Sequence, residues 1–125
     1  MDLIIDPHGA WTRLVLYRPS VKNALDTALL SRLAEVLAGL AQDQMCRAVL
    51  LTGAEGNFAA GADIGEIEGK TTADGVKDLR KAHWATIRAF PKPLVAAVDG
   101  FALGGGFELA LMADCMVLGA TARVG

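Results

Sequence analysis

Aromatic side chains are scarce in this chain, at 6% of its 125 residues. A close-packed core must therefore be filled by Leu, Ala and Val. Charge of one sign is missing too: 12 Lys and Arg stand against 14 Asp and Glu, a formal net charge of −2, and no basic stripe exists. That excludes nucleic acid or an anionic membrane as the main partner. No uncharged run reaches the ~18 apolar residues of a membrane span, and Met1-Asp2-Leu3 is not the positive start of a secretory signal. The 2 cysteines, Cys46 and Cys115, form no CxxC and read as reduced core residues rather than a disulfide or metal pair. With 2 histidines, no H-E-x-x-H, no G-x-S-x-G and no G-x-x-x-x-G-K-[ST], zinc hydrolysis, a nucleophile elbow and a phosphate loop lack support. His8 reads as a solvated turn residue, and His83, beside Trp84, as a half-buried structural one. Asp63 and Asp114 have no metal-like spacing, so no metal is expected. What is present suffices for one core: 53% hydrophobic and 21% charged residues exclude disorder. The expectation is a soluble, cytoplasmic, globular chain of one domain at most.

Periodicity outlines the elements. Leu3–Ile5 and Thr12–Tyr17 read as a hairpin around Pro7-His8-Gly9. Leu25, Leu29, Leu33, Val36, Leu37 and Leu40 recur at helical steps, predicting a helix from about Ala24 to Gln42. Ala48–Thr52 is a short apolar run that suits a strand buried on both faces. A second helix is expected over Val76–Ala89, stopped by Pro91-Lys-Pro93, then a strand at Leu94–Val98. Gly104-Gly-Gly106 opens a helix to about Ala113, and Cys115–Leu118 makes a further strand. This alternation implies an α/β fold with parallel crossovers. The stop at Arg123-Val-Gly125, directly after a strand, reads as a truncation.

Two segments could carry chemistry. In Phe58-Ala-Ala-Gly-Ala-Asp63-Ile64 small residues let backbone N–H groups approach a ligand closely; a tight packed loop explains the same composition. In Ala97-Val-Asp-Gly-Phe-Ala-Leu-Gly-Gly-Gly-Phe-Glu108 three successive glycines are costly, so something requires them. At a helix start, exposed N–H groups favour developing negative charge. Glu108 follows one turn later on the same side as Gly105 and suits a base, although a residue merely complementing the helix dipole fits too.

Taken together, F-A-A-G-A-D-I and K-P-L-V-A-A-V-D-G-F-A-L-G-G-G-F-E-L-A closely resemble the enoyl-CoA hydratase/isomerase, or crotonase, family. Arg18-Pro19 with Asn23-Ala24-Leu25 matches that family's R-P-x-x-x-N-A-L signature. The resemblance covers the whole chain, and its wording is most like hydratases of fatty-acid or phenylacetate breakdown. It implies a crotonase-like β-β-α spiral, with residues 1–125 as the amino-terminal part of a single domain, truncated before its last turns and C-terminal helices.

For activity, the resemblance implies a lyase of β-oxidation type that adds water to a 2-enoyl-CoA, giving a 3-hydroxyacyl-CoA. Ala62 and Gly105 match the two oxyanion-hole donors, and Glu108 the first catalytic glutamate. Ala62, Asp63, Ile64 and Gly65 match the strip along the thioester and pantetheine. Lys22 and Ala24, beside Ala60, match the nucleotide end of coenzyme A; Gly104 and Gly105 also contact substrate. Trp84 matches a position that often lines the acyl pocket, and reads equally as a core aromatic. No cofactor is implied, since coenzyme A is part of the substrate. The full-length partner is a second copy, as a homotrimer or dimer of trimers. The family's second glutamate follows the segment matched by Ala122-Arg-Val-Gly125, where this chain ends, so the 125 residues alone are expected to be inactive. Isomerisation, dehydration, hydrolysis or decarboxylation of an acyl-CoA, and acyl-CoA binding without catalysis, remain as alternatives. Glu108 favours hydration, because family isomerases often lack it.

Overall fold

The computed structural model describes residues 2–61 and 73–125, the side chains of 73–78 excepted. Strands β1 (Leu3–His8) and β2 (Trp11–Leu16) form the expected hairpin, antiparallel and tightly joined at Gly9-Ala10. β1 runs three residues further than the pattern predicts. Pro7 is tolerated inside it because β1 is an edge strand, where a missing N–H breaks no second ladder. His8 is exposed, as expected, but it ends β1 rather than lying in the turn, and it stacks on Trp11 with ring centroids 4.3 Å apart. It also bonds Asp6 at 2.8 Å, and with Arg13 it holds the Asp6 carboxyl below the usual carboxylate range.

From β2 onward the sheet is parallel, in the order β1-β2-β3-β4-β6, with β3 at Ala48–Gly53, β4 at Leu94–Val98 and β6 at Cys115–Leu118. Register aligns Leu14 with Leu51, and Leu51 with Ala96, so one face of the sheet is a continuous apolar surface. The helices α1 (Thr27–Gln42) and α2 (Ala73–Arg88) pack on one another, and the buried stripe Leu29, Leu30, Leu33, Ala34, Val36 and Leu37 of α1 joins that surface in one core. Leu, Ala and Val fill it as the composition requires; Phe58 is the one aromatic among the described buried residues.

Three expectations need correction. β3 is not buried on both faces. Its burial alternates, as does that of β4, because the described helices lie over the side of Val49 and Leu51 and leave Ala48, Leu50 and Val95 partly open. Cys115 is not a core residue: it opens the edge strand β6 and is exposed, whereas Cys46 is buried, both as free thiols. The first helix starts at Thr27 rather than Ala24, since Lys22 and Asn23 adopt left-handed φ of 54° and 59° and Asp26 caps the helix by accepting from Leu29 N–H at 2.8 Å.

Two short elements escape the pattern altogether. β5 (Phe101–Ala102) pairs in parallel with β7 (Arg123–Val124) as a second, two-stranded sheet. Between them, α3 (Gly105–Leu111) is shorter than the expected helix to Ala113. Among the described residues no helix is long and apolar enough to cross a membrane.

Candidate active site

The two glycine-rich segments meet in space. The Phe58 and Ala59 N–H groups both donate to Phe101 O, at 3.0 and 2.9 Å, and Leu103 N–H returns a bond to Ala59 O at 3.1 Å. Ala59 and Ala102 thus form a parallel bridge that lays the first segment along β5. The turn around Lys22 closes the other side: Ala60 N–H donates to Lys22 O at 3.0 Å, and Leu25 N–H to Gly61 O at 2.7 Å. Lys22, Ala24 and Ala60, expected together at the nucleotide end of coenzyme A, are therefore neighbours. Lys22 is exposed and lays its ammonium over the Phe101 ring, 4.9 Å from the centroid.

Asn23 braces this junction, a role that its place in the R-P-x-x-x-N-A-L signature alone does not disclose. Its side chain is fully buried. Nδ2 donates to Ala54 O (3.1 Å) and Asn57 O (2.8 Å), while Oδ1 accepts from Arg18 N–H at 2.7 Å. Asn57 in turn accepts from Phe101 N–H at 3.0 Å. Removing the amide strands three partly buried partners, so Asn23→Ala is expected to cost about 3 kcal/mol of stability. A urea denaturation midpoint equal to wild type contradicts that brace.

The glycines of α3 have separate physical reasons. Gly104 has φ 51° and ψ −120°, a conformation that L side chains rarely adopt. At Gly106 a Cβ would stand 2.1 Å from Ala59 O, so only glycine lets α3 rest on the first segment. Gly105 has neither reason. A Cβ there would meet Trp84 Cζ2 at 3.8 Å and Leu25 Cδ1 at 4.0 Å, ordinary van der Waals contact. Its N–H, at the first position of the helix, has no acceptor among the described residues. The fold leaves a free donor there, beside Trp84.

Glu108 lies one turn along α3, its own N–H bonded to Gly104 O at 3.0 Å. Its side chain is exposed and turns into an open cleft of about 370 Å³, lined with it by Trp84, Arg80, Lys81 and Arg88 of α2. Trp84 is half-buried and lines the cleft, and its Cζ2 lies 3.8 Å from where a Gly105 Cβ would stand, which links the two. The cations on α2 were not legible as site residues, because nothing in the sequence says which helix face meets α3. Asp114 spends its carboxylate on Leu94 N–H, at 2.8 Å. Ala62, Asp63, Ile64 and Gly65 lie outside the described residues.

Comparison with known proteins gives the family and the fold. The chain is 44% identical over 124 residues to the 2,3-dehydroadipyl-CoA hydratase of Escherichia coli K12, covering 99% of this chain and 49% of that protein. It is 43% identical over 122 residues to human enoyl-CoA hydratase domain-containing protein 2, mitochondrial, covering 95% of this chain and 42% of that one. The crystal structure of an enoyl-CoA hydratase from Bacillus anthracis superposes with a TM-score of 0.92 at 30% identity, over 100% of this chain and 50% of its own. The α/β fold is thus the crotonase fold, and the chain spans about half the length of the relatives it matches. Residues 10–125, which include both glycine-rich segments and Glu108, match the sequence pattern of one family, and the chain belongs to it: enoyl-CoA hydratase/isomerase.

Proposed function

We propose that the protein at its full length is an enoyl-CoA hydratase, adding water across the double bond of a 2-enoyl-CoA to give a 3-hydroxyacyl-CoA. The observation that carries this is Gly105: an N–H with no acceptor among the described residues, next to Trp84, which lines a cleft together with the Glu108 carboxylate. A thioester oxygen brought to that N–H accepts from it directly, and a second donor from Ala62 completes an oxyanion hole by family resemblance. Two preorganised donors stabilise an enolate oxygen more than a ground-state carbonyl, which is what lowers the barrier. Glu108 then holds water and takes its proton as the water oxygen bonds to C3. The double-bond electron pair moves to C2 and the carbonyl oxygen, and a proton delivered to C2 completes the addition. By resemblance that proton comes from the family's second glutamate.

Relatives named as hydratases and the family match support the reading. By resemblance to the family, the reading extends to a homotrimer or dimer of trimers at full length, located in the cytoplasm. The test is steady-state turnover of crotonyl-CoA with the product identified by mass. Formation of 3-hydroxybutyryl-CoA is expected. A folded protein that binds the ester without adding water, or only shifts a 3-enoyl to a 2-enoyl double bond, overturns the reading.

A further inference from the structure

We propose that the cleft between α2 and α3 seats acyl chains that end in a second carboxylate, so that the preferred substrates are 2-enoyl-CoA esters of dicarboxylic acids. This rests on the hydratase reading for the position of the thioester. Small-molecule sites are mostly apolar with a few placed polar groups, and a pocket for a plain hydrocarbon tail needs no charge at all. Here Lys81, Trp84 and Arg88 share one face of α2 at three-, four- and seven-residue steps, with Arg80 beside them lining the same cleft, and three of the four are cations. Among the described residues Glu108 is the one carboxylate lining the cleft, and it forms no ion pair with any of them.

The three cations are not equivalent. Arg80 donates to Leu25 O at 3.1 Å and to Thr27 Oγ1 at 3.2 Å, which fixes it as a wall and ties α2 to the segment beside Gly105. Lys81 and Arg88 are exposed, and neither has a hydrogen-bond or ion-pair partner among the described residues. Two unneutralised cations at the rim of a cleft attract an anion. A thioester seated at Gly105 sends its acyl chain past Trp84 and Glu108 into this cleft, so the chain's far end is the group that meets Lys81 and Arg88. An apolar end leaves both charges unanswered there, and a carboxylate accepts from both.

The measurement is calorimetric affinity for adipoyl-CoA and hexanoyl-CoA, non-reactive esters of equal chain length that differ only at the far end. Adipoyl-CoA is expected to bind about tenfold more tightly. Lys81→Leu with Arg88→Leu brings the two affinities near parity, and Lys81→Arg retains the preference. Equal affinities in the wild type overturn the proposal. So does an equal loss for both esters in the double variant with the preference intact, which assigns these cations to the phosphates of coenzyme A. Crotonyl-CoA hydration is scored separately: hydration without a carboxylate preference overturns this inference alone, and a preference without hydration upholds it while overturning the hydratase reading.

Discussion

Glu108→Gln is expected to lower kcat for crotonyl-CoA hydration by about 10²–10⁴-fold, the usual contribution of a positioned general base. Binding of the CoA ester should change little. Glutamine keeps the length and hydrogen-bonding capacity of the side chain but cannot take a proton from water. Glu108 is exposed on α3, away from the core, so the fold should not suffer. The expected signature is kcat and kcat/KM falling together, the mark of an interaction made in the transition state only. Near-wild-type turnover removes Glu108 from the mechanism and leaves it as a helix-start carboxylate.

The second large effect is expected at Gly105. Proline has no N–H, so Gly105→Pro removes one oxyanion donor, and loss of a single donor costs about 10²–10³ in rate. The position tolerates the change locally: Gly105 is the first residue of α3, where proline is accommodated, and its N–H bonds nothing among the described residues. Gly105→Ala is the companion variant, since it keeps the N–H and adds a methyl group beside Trp84 and Leu25. Among the described residues the nearest atoms to that methyl are at 3.8 and 4.0 Å, ordinary contact distances that the fold accepts. A rise in KM for the alanine variant, with kcat lost in the proline variant, separates the room at Gly105 from its donor. Native-like circular dichroism with full activity in both assigns the oxyanion to other residues.

Legibility in the sequence followed the strength of local signals. Leu94–Val98 and Cys115–Leu118 have the bounds the sequence predicts, because each is an apolar run between turn residues. Phe101–Ala102 and Arg123–Val124 leave no periodic trace at two residues each; they exist because tertiary pairing brings them together. The sequence pattern places the helix start at Ala24 because Leu25 keeps the apolar rhythm, while the left-handed Lys22 and Asn23 break the backbone beneath it. Glu108, Gly105 and the Lys22–Ala60 pairing were legible through motif resemblance. The three cations of α2 were not, because a charge acquires meaning there only once α3 packs alongside.

The central claim is that water adds to the substrate at a site made of Gly105 and Glu108. It is tested most directly by incubating the protein at its full length with crotonyl-CoA in heavy-oxygen water, wild type beside Glu108→Gln. The account predicts 3-hydroxybutyryl-CoA carrying one heavy oxygen on its hydroxyl from the wild type, and a rate at least about 10²-fold lower from the variant. Unlabelled product, no 3-hydroxy product, or equal labelling rates from the two proteins would contradict it.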